Sequence, residues 1–166
     1  QLGDQWGVGA ALNALAVSAR DRGDYASAKT NFEKSLACWR MLRDNLATAR
    51  CLHNLANAVR IGGDYSAAKE ALREATVIFE DLGDRSGAAW SINQLGDIAR
   101  AQGEVAAARD TYQRALAAFR EAGDRWGAAR SLTDLGSIYC EQSDYAAAHA
   151  AYREALIVFS ELGYRR

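Results

Sequence analysis

Proline is absent from the 166 residues, where average usage of roughly 5% would give about eight. Its absence removes the commonest helix breaker. Cysteine is scarce: Cys38, Cys51 and Cys140 are odd in number and widely spaced, with no CxxC pair. That excludes a disulfide framework and a structural zinc site, and points to a reducing compartment. Neither sign of charge prevails, with 20 Lys+Arg against 21 Asp+Glu, so no global field draws the chain to nucleic acid or an anionic membrane. The longest strongly apolar run, Leu156-Ile157-Val158-Phe159, is far too short to span a bilayer. There is no signal-peptide pattern and no initiator Met, and we expect a cytoplasmic piece of a longer protein.

What the chain does have is alanine, 35 of 166 residues, a strong helix former. Arginine outnumbers lysine 17 to 3, a composition that suggests a GC-rich bacterial gene. Hydrophobic content of 49% and charged content of 25% are ordinary globular values.

The sequence repeats every 40 residues. Asp4, Asp44, Asp84 and Asp124 share one phase; Leu12, Leu52, Ile92 and Leu132 another; Leu15, Leu55, Leu95 and Leu135 a third. Ala28, Ala68, Ala108 and Ala148 are invariant, and Trp39, Phe79, Phe119 and Phe159 place an aromatic in every copy. Gly163-Tyr164 begins a fifth copy. The units run approximately over residues 4–43, 44–83, 84–123 and 124–163, one array with no separate domain.

Each unit reads as two helices. The four phase-one aspartates are expected N-caps of the first helix. Leu12, Leu15, Ala16 and Ala19 follow the i, i+3, i+4, i+7 pattern. The turns Gly23-Asp24-Tyr25, Gly63-Asp64-Tyr65, Gly103-Glu104-Val105 and Ser143-Asp144-Tyr145 combine a left-handed helix end with an acid that caps the next helix. Ala28, Phe32, Ser35, Leu36, Trp39 and Leu42 give the second helix of copy one its apolar face. No stretch alternates with period two, so no strands are expected.

These residues resemble the tetratricopeptide repeat. The family motif of a large apolar residue, Leu-Gly, a Tyr or small residue, a Gly turn, an invariant Ala, an aromatic and a final Ala is matched in copy three by Ile92, Leu95-Gly96, Ala99, Gly103, Ala108, Tyr112 and Ala115. Copy four matches as Leu132, Leu135-Gly136, Tyr139, Ser143, Ala148, Tyr152 and Ala155. Copies one and two depart with Ala16 and Ala56 at the Gly position, and copy one with Ser35 at the final Ala. The terminal Pro is replaced by a six-residue extension. The 40-residue subtype is similar to the arrays of kinesin light chains, spindle-orientation adaptors and the C-terminal arms of bacterial signal-transduction ATPases and transcription regulators. The resemblance implies an all-α right-handed α-solenoid of four helix-turn-helix units, eight helices in all. It also implies a non-catalytic, protein- or peptide-binding scaffold without cofactor.

The resemblance assigns binding to a concave groove lined by the first helices, and helical spacing places the face opposite the apolar one there. The candidate residues are Asn13 in copy one; Arg50, His53, Asn54 and Asn57 in copy two; Trp90, Asn93, Gln94 and Asp97 in copy three; and Arg130, Thr133, Asp134 and Ser137 in copy four. A side-chain amide holds donors and an acceptor, so a ladder of them pairs with the main chain of an extended peptide; the plainer reading is a solvated polar face. Trp90 is either an exposed interface anchor or packs on a neighbouring first helix. Arg50 and Arg130 either grip a carboxylate or phosphate or pair with Asp97 and Asp134. Arg20, Arg60 and Arg100 form a further ladder that either favours an acidic ligand or, ending their helices, offsets the dipole. Trp6 and Trp126 are expected to pack under the preceding second helix.

Catalysis finds little support. No Walker loop is present, Gly7-x-Gly9 lacks a third glycine, and the two histidines, His53 and His149, lie in different units. Cys51 and His53, two residues apart, diverge on a helix, so no metal site forms. The partner is therefore a protein, an extended peptide or another domain of the parent chain, with neither nucleic acid nor membrane. The rival roles are an intramolecular sensor or autoinhibitory arm and a structural spacer. Without a polar capping helix after Leu162, end-to-end self-association is expected.

Overall fold

A computed structural model describes residues 2–163, with the side chains of Leu2 and Gly3 left aside. Tyr164, expected to open a fifth copy, lies outside the described residues. Every element is helical, and no strand occurs among the described residues. The helices are α1 (Leu2–Asp21), α2 (Tyr25–Leu42), α3 (Asn45–Ile61), α4 (Tyr65–Asp81), α5 (Arg85–Ala101), α6 (Val105–Ala122), α7 (Arg125–Glu141) and α8 (Tyr145–Glu161).

The chain divides into two compact units, Gln1–Gly83 and Asp84–Arg166. In the first, α1 pairs with α2 and α3 with α4, and α2 joins the two hairpins by packing on α3. In the second, α5 pairs with α6, α7 with α8, and α6 packs on α7. The first helices of each unit, α1 with α3 and α5 with α7, touch only lightly. That leaves a face between them where side chains are not consumed by hairpin packing.

The caps explain where the helices begin. Asp44, Asp84 and Asp124 accept the backbone N–H of Ala47, Gly87 and Gly127; Asp24, Asp64 and Asp144 do the same for Ser27, Ala67 and Ala147. Two expected caps differ. Asp4 sits inside the first turn of α1, which already starts at Leu2; no left-handed residue precedes it as Arg43, Gly83 and Gly123 precede the other three. Its carboxylate still complements the helix dipole. Glu104 precedes α6 without a side-chain cap bond, since its extra methylene suits the cap position poorly, where Asp, Asn and Ser lead. Ser143 adopts the left-handed turn (φ 61°) that glycine provides in the other three hairpins.

The invariant alanines are where hairpins close. Ala28, Ala68 and Ala108 are fully buried and Ala148 is 3% exposed. Around them lie Phe32, Trp39, Leu72 and Phe79 in the first unit, and Tyr112, Phe119, Leu132 and Ile138 in the second. Burying each large apolar side chain contributes about 1.5–3 kcal/mol. Ser35, standing where the motif has alanine, is buried and donates to the Gly9 carbonyl at 2.8 Å, which meets its hydrogen-bonding need.

Candidate binding cleft

The repeat phase places one set of positions between the first helices of each unit. In the first unit these positions enclose a cleft of about 380 Å³ between α1 and α3. Its apolar wall is Trp6, Ala10, Trp39 and Leu46; its polar rim is Asn13, Asp44, Arg50 and Asn54. Trp6 is 58% exposed and meets the edge of the buried Trp39 ring at a centroid distance of 6.1 Å. It thus walls the cleft from its own hairpin. Asn13, Arg50 and Asn54 make no side-chain hydrogen bond or ion pair with any described residue. Asp44 uses Oδ1 to cap α3, and its Oδ2 has no partner among the described residues. Cys51, on the cleft floor, is nearly fully buried, and burial pushes its thiol up to about 11.

The remaining candidates of α3 differ. His53 is half-buried, and loss of solvent pulls its imidazole down to about 4, so it is neutral at physiological pH. Asn57 accepts a hydrogen bond from the Arg60 guanidinium at 2.9 Å.

In the second unit the equivalent residues are spent on one another. The Trp90 indole N–H donates to Asp124 Oδ2 at 3.1 Å. Its ring lies 4.8 Å from Phe119, edge-on, and 5.0 Å from Trp126. Trp90 is thus half-buried among residues of its own unit, and Trp126 stacks on it. Asn93 is 3% exposed; its Nδ2 donates to Asp134 Oδ2 at 3.0 Å, and its Oδ1 accepts from Ser131 Oγ at 2.7 Å. Arg130 Nε reaches the same Asp134 oxygen at 3.1 Å, the pairing expected as one of its alternatives. Burial raises the Asp134 carboxyl, opposed by the Asn93 and Arg130 donors. Asp97 accepts from the Tyr112 hydroxyl at 2.8 Å, and burial followed by the Asp97 charge holds that hydroxyl far above its usual range. Thr133 donates back to the Ala129 carbonyl, and Ser137 to the Thr133 carbonyl, with the Tyr152 hydroxyl 3.1 Å from Ser137 Oγ. Gln94 is half-buried.

The structure therefore brings three candidates, Asn13, Arg50 and Asn54, to one open cleft, and draws eight of the others, Asn57, Trp90, Asn93, Asp97, Arg130, Thr133, Asp134 and Ser137, into internal contacts. It adds Trp6, Trp39, Asp44 and Leu46 to the cleft. Their signal in the sequence was the phase they share with Ser86, Phe119, Asp124 and Trp126. Arg20, Arg60 and Arg100 each occupy the last turn of their helix, as the dipole argument requires. Among the described residues no three His, Cys, Asp or Glu side chains gather to hold a metal, and no helix is long and apolar enough to cross a membrane.

Comparison with known proteins agrees with this architecture. The tetratricopeptide repeat family model matches residues 7–81 and 87–160. No curated protein matches the sequence. Among solved structures, the chain is similar to BtubC (BKLC) from P. vanneervenii, at 20% identity and a TM-score of 0.78, over 95% of this chain and 65% of that one. It is also similar to aspartyl phosphate phosphatase F from Bacillus subtilis, at 13% identity and a TM-score of 0.85, over 92% of this chain and 40% of that one. A Rap protein complexed with Competence and Sporulation Factor aligns at 18% identity and a TM-score of 0.64, over 91% and 52%. The chain thus spans 40% to 65% of the length of these structures. With the motif matched across both units and the hairpins formed as the motif requires, the chain belongs to the tetratricopeptide repeat family.

Proposed function

We propose that the chain is a non-catalytic binding module that presents the α1–α3 cleft to an extended segment of a protein partner. One observation carries the reading. Asn13, Arg50 and Asn54 line a single cleft with their amides and guanidinium unspent, whereas the second unit's counterparts Asn93, Arg130 and Asp134 bond one another. Two amides offer donors and acceptors to a peptide main chain, and the guanidinium offers a fork for a carboxylate or carbonyl. The aromatic wall offers apolar contact beside them. Trp39 and Cys51 are held by the hairpin core, so the cleft is preformed and little ordering cost falls on binding. A relative in complex with a factor, the Rap protein above, supports ligand binding on this architecture. The composition supports a bacterial, cytoplasmic setting within a signalling or regulatory protein.

The test is capture from the host lysate with the chain as bait beside an Arg50→Ala/Asn54→Ala variant of equal helix content. A partner retained by the parent chain and lost by the variant meets the expectation. A partner held equally by both moves recognition away from the cleft and overturns the reading.

A further inference from the structure

The two units are repeats of one another at a spacing of 80 residues, so each cleft position has a counterpart in the second unit. Asp44 corresponds to Asp124, Trp39 to Phe119, Leu46 to Trp126 and Ala10 to Trp90. In the second unit the Trp90 side chain fills the site: it rests on Phe119 and Trp126 and donates its indole N–H to Asp124 Oδ2 while Oδ1 of the same carboxylate caps α7. In the first unit the same cap is made by Asp44 Oδ1. The aromatic and apolar walls are kept as Trp39 and Leu46, the second oxygen is unclaimed, and alanine stands where the indole would start. The result is the 380 Å³ cleft.

An apolar cavity of about 150 Å³ already admits benzene, so the space takes a bicyclic ring. Trp6, where the second unit has Ser86, adds an aromatic wall, and tilted or edge-on aromatic pairs at such distances are worth about 0.5–1.5 kcal/mol each beyond their burial.

We propose that the cleft binds a tryptophan side chain presented by a partner polypeptide, seated over Ala10 against Trp39 and Leu46, with its indole N–H donated to Asp44 Oδ2. The inference rests on the peptide-binding reading above and names what that cleft recognises. A polypeptide is the occupant, rather than a free indole, because Asn13, Arg50 and Asn54 stand at the rim where the main chain on either side of the ring would pass. The Asp44 carboxylate selects indole over a ring of the same size without a donor, since such a ring would cover the carboxylate without bonding it.

The experiment is titration of the ¹⁵N-labelled full chain with N-acetyltryptophanamide, N-acetylleucinamide, N-acetyl-naphthylalaninamide, indole and a Gly/Ser heptapeptide with a central Trp. The expected result is saturable movement of the Trp6 and Trp39 indole N–H signals by the tryptophan amide, with Kd of about 1 mM. The heptapeptide should bind more tightly, and the leucine amide should leave these signals unmoved. Ala10→Trp should abolish the effect by filling the site from within. Asp44→Asn, which keeps the α3 cap, should weaken binding about fivefold and narrow the preference over naphthylalanine. Trp90→Ala should open a second site that moves the Trp126 indole signal.

No saturable movement, movement that survives Ala10→Trp, or equal response to the leucine amide overturns the proposal. Indole binding as tightly as the heptapeptide overturns the polypeptide occupant. Loss of the lysate partner in Arg50→Ala/Asn54→Ala without tryptophan binding leaves the cleft reading standing and removes this inference alone.

Discussion

The ring of Tyr112 lies so close over Gly96 that a Cβ on the glycine would stand 2.6 Å from Cε1. Tyr152 covers Gly136 in the same way, also at 2.6 Å. Where glycine is replaced by Ala16 or Ala56, the facing aromatic position holds Phe32 or Leu72 instead, and all four of these residues are buried. Glycine and tyrosine are thus one packing unit, with the tyrosine hydroxyl carried on to Asp97. Gly96→Ala should cost about 1–3 kcal/mol by overpacking. Adding Tyr112→Leu should cost less than the sum of the two single changes, because the pair then reproduces Ala56 with Leu72. Urea unfolding of the four-member cycle reads the coupling, and strict additivity would refute it.

His53 makes stability depend on pH. Its folded value of about 4 lies below the ordinary 6.5, so the unfolded chain binds the proton first. Above about pH 6.5 neither state is protonated and nothing is lost; between about 6.5 and 4 stability declines as the pH falls, by up to ~1.4 kcal/mol per pH unit. His53→Asn, which places there the residue found at Asn13 and Asn93, should flatten that decline. Unfolding free energies at pH 7.5 and 5.0 for both chains give the answer, and equal losses would reject the assignment to His53.

The three thiols should separate by exposure. Cys140 is exposed, while Cys38 and Cys51 are buried and free, and burial keeps the Cys51 thiol protonated at pH 8. A chromogenic disulfide reagent should modify one thiol quickly in the folded chain and all three after unfolding. Cys140→Ser should remove the fast phase, and three fast thiols in the parent chain would contradict the packing of α2 and α3.

α8 leaves Leu156 at 66% and Ile157 at 51% exposure, an apolar pair on a helix whose Tyr145 and Tyr152 are also exposed. We propose that it is a self-association face. Light scattering should show a mass that rises with concentration, and Leu156→Lys should hold the chain at one mass. A constant mass in the parent chain would dismiss the idea.

The helices and their turns were legible because the signals are local. The Asp caps, the glycine turns and the 3.6-residue spacing act within a few residues of one another, and Ser143 was recognised as a turn from its phase alone. The fate of each polar side chain was not legible, because it depends on what the facing repeat supplies. Asn13 and Asn93 share a phase, yet Asn93 meets Ser131 and Asp134 whereas Asn13 faces Cys51 and Asn54. Leu15 and Leu135 likewise share a phase; Leu135 is 3% exposed in a cluster with Ala115 and Leu116 of α6, while Leu15 is 58% exposed. Trp39 in place of phenylalanine is matched by Gly9 in place of alanine, where a Cβ would approach its ring at 3.1 Å. Such compensation is visible in a sequence only after the repeats have been set against each other in space.

The position held in turn by Ala10, Arg50, Trp90 and Arg130 lies beside, not within, the invariant-alanine contacts that close each hairpin, and in the second unit Trp90 there rests on Phe119. Residue size there varies from the smallest side chain to the largest without disturbing the fold. In the first unit that position is open and alanine lines the cleft; in the second the indole of Trp90 fills the equivalent space. The same scaffold position therefore decides, unit by unit, whether the space between the first helices is open or filled.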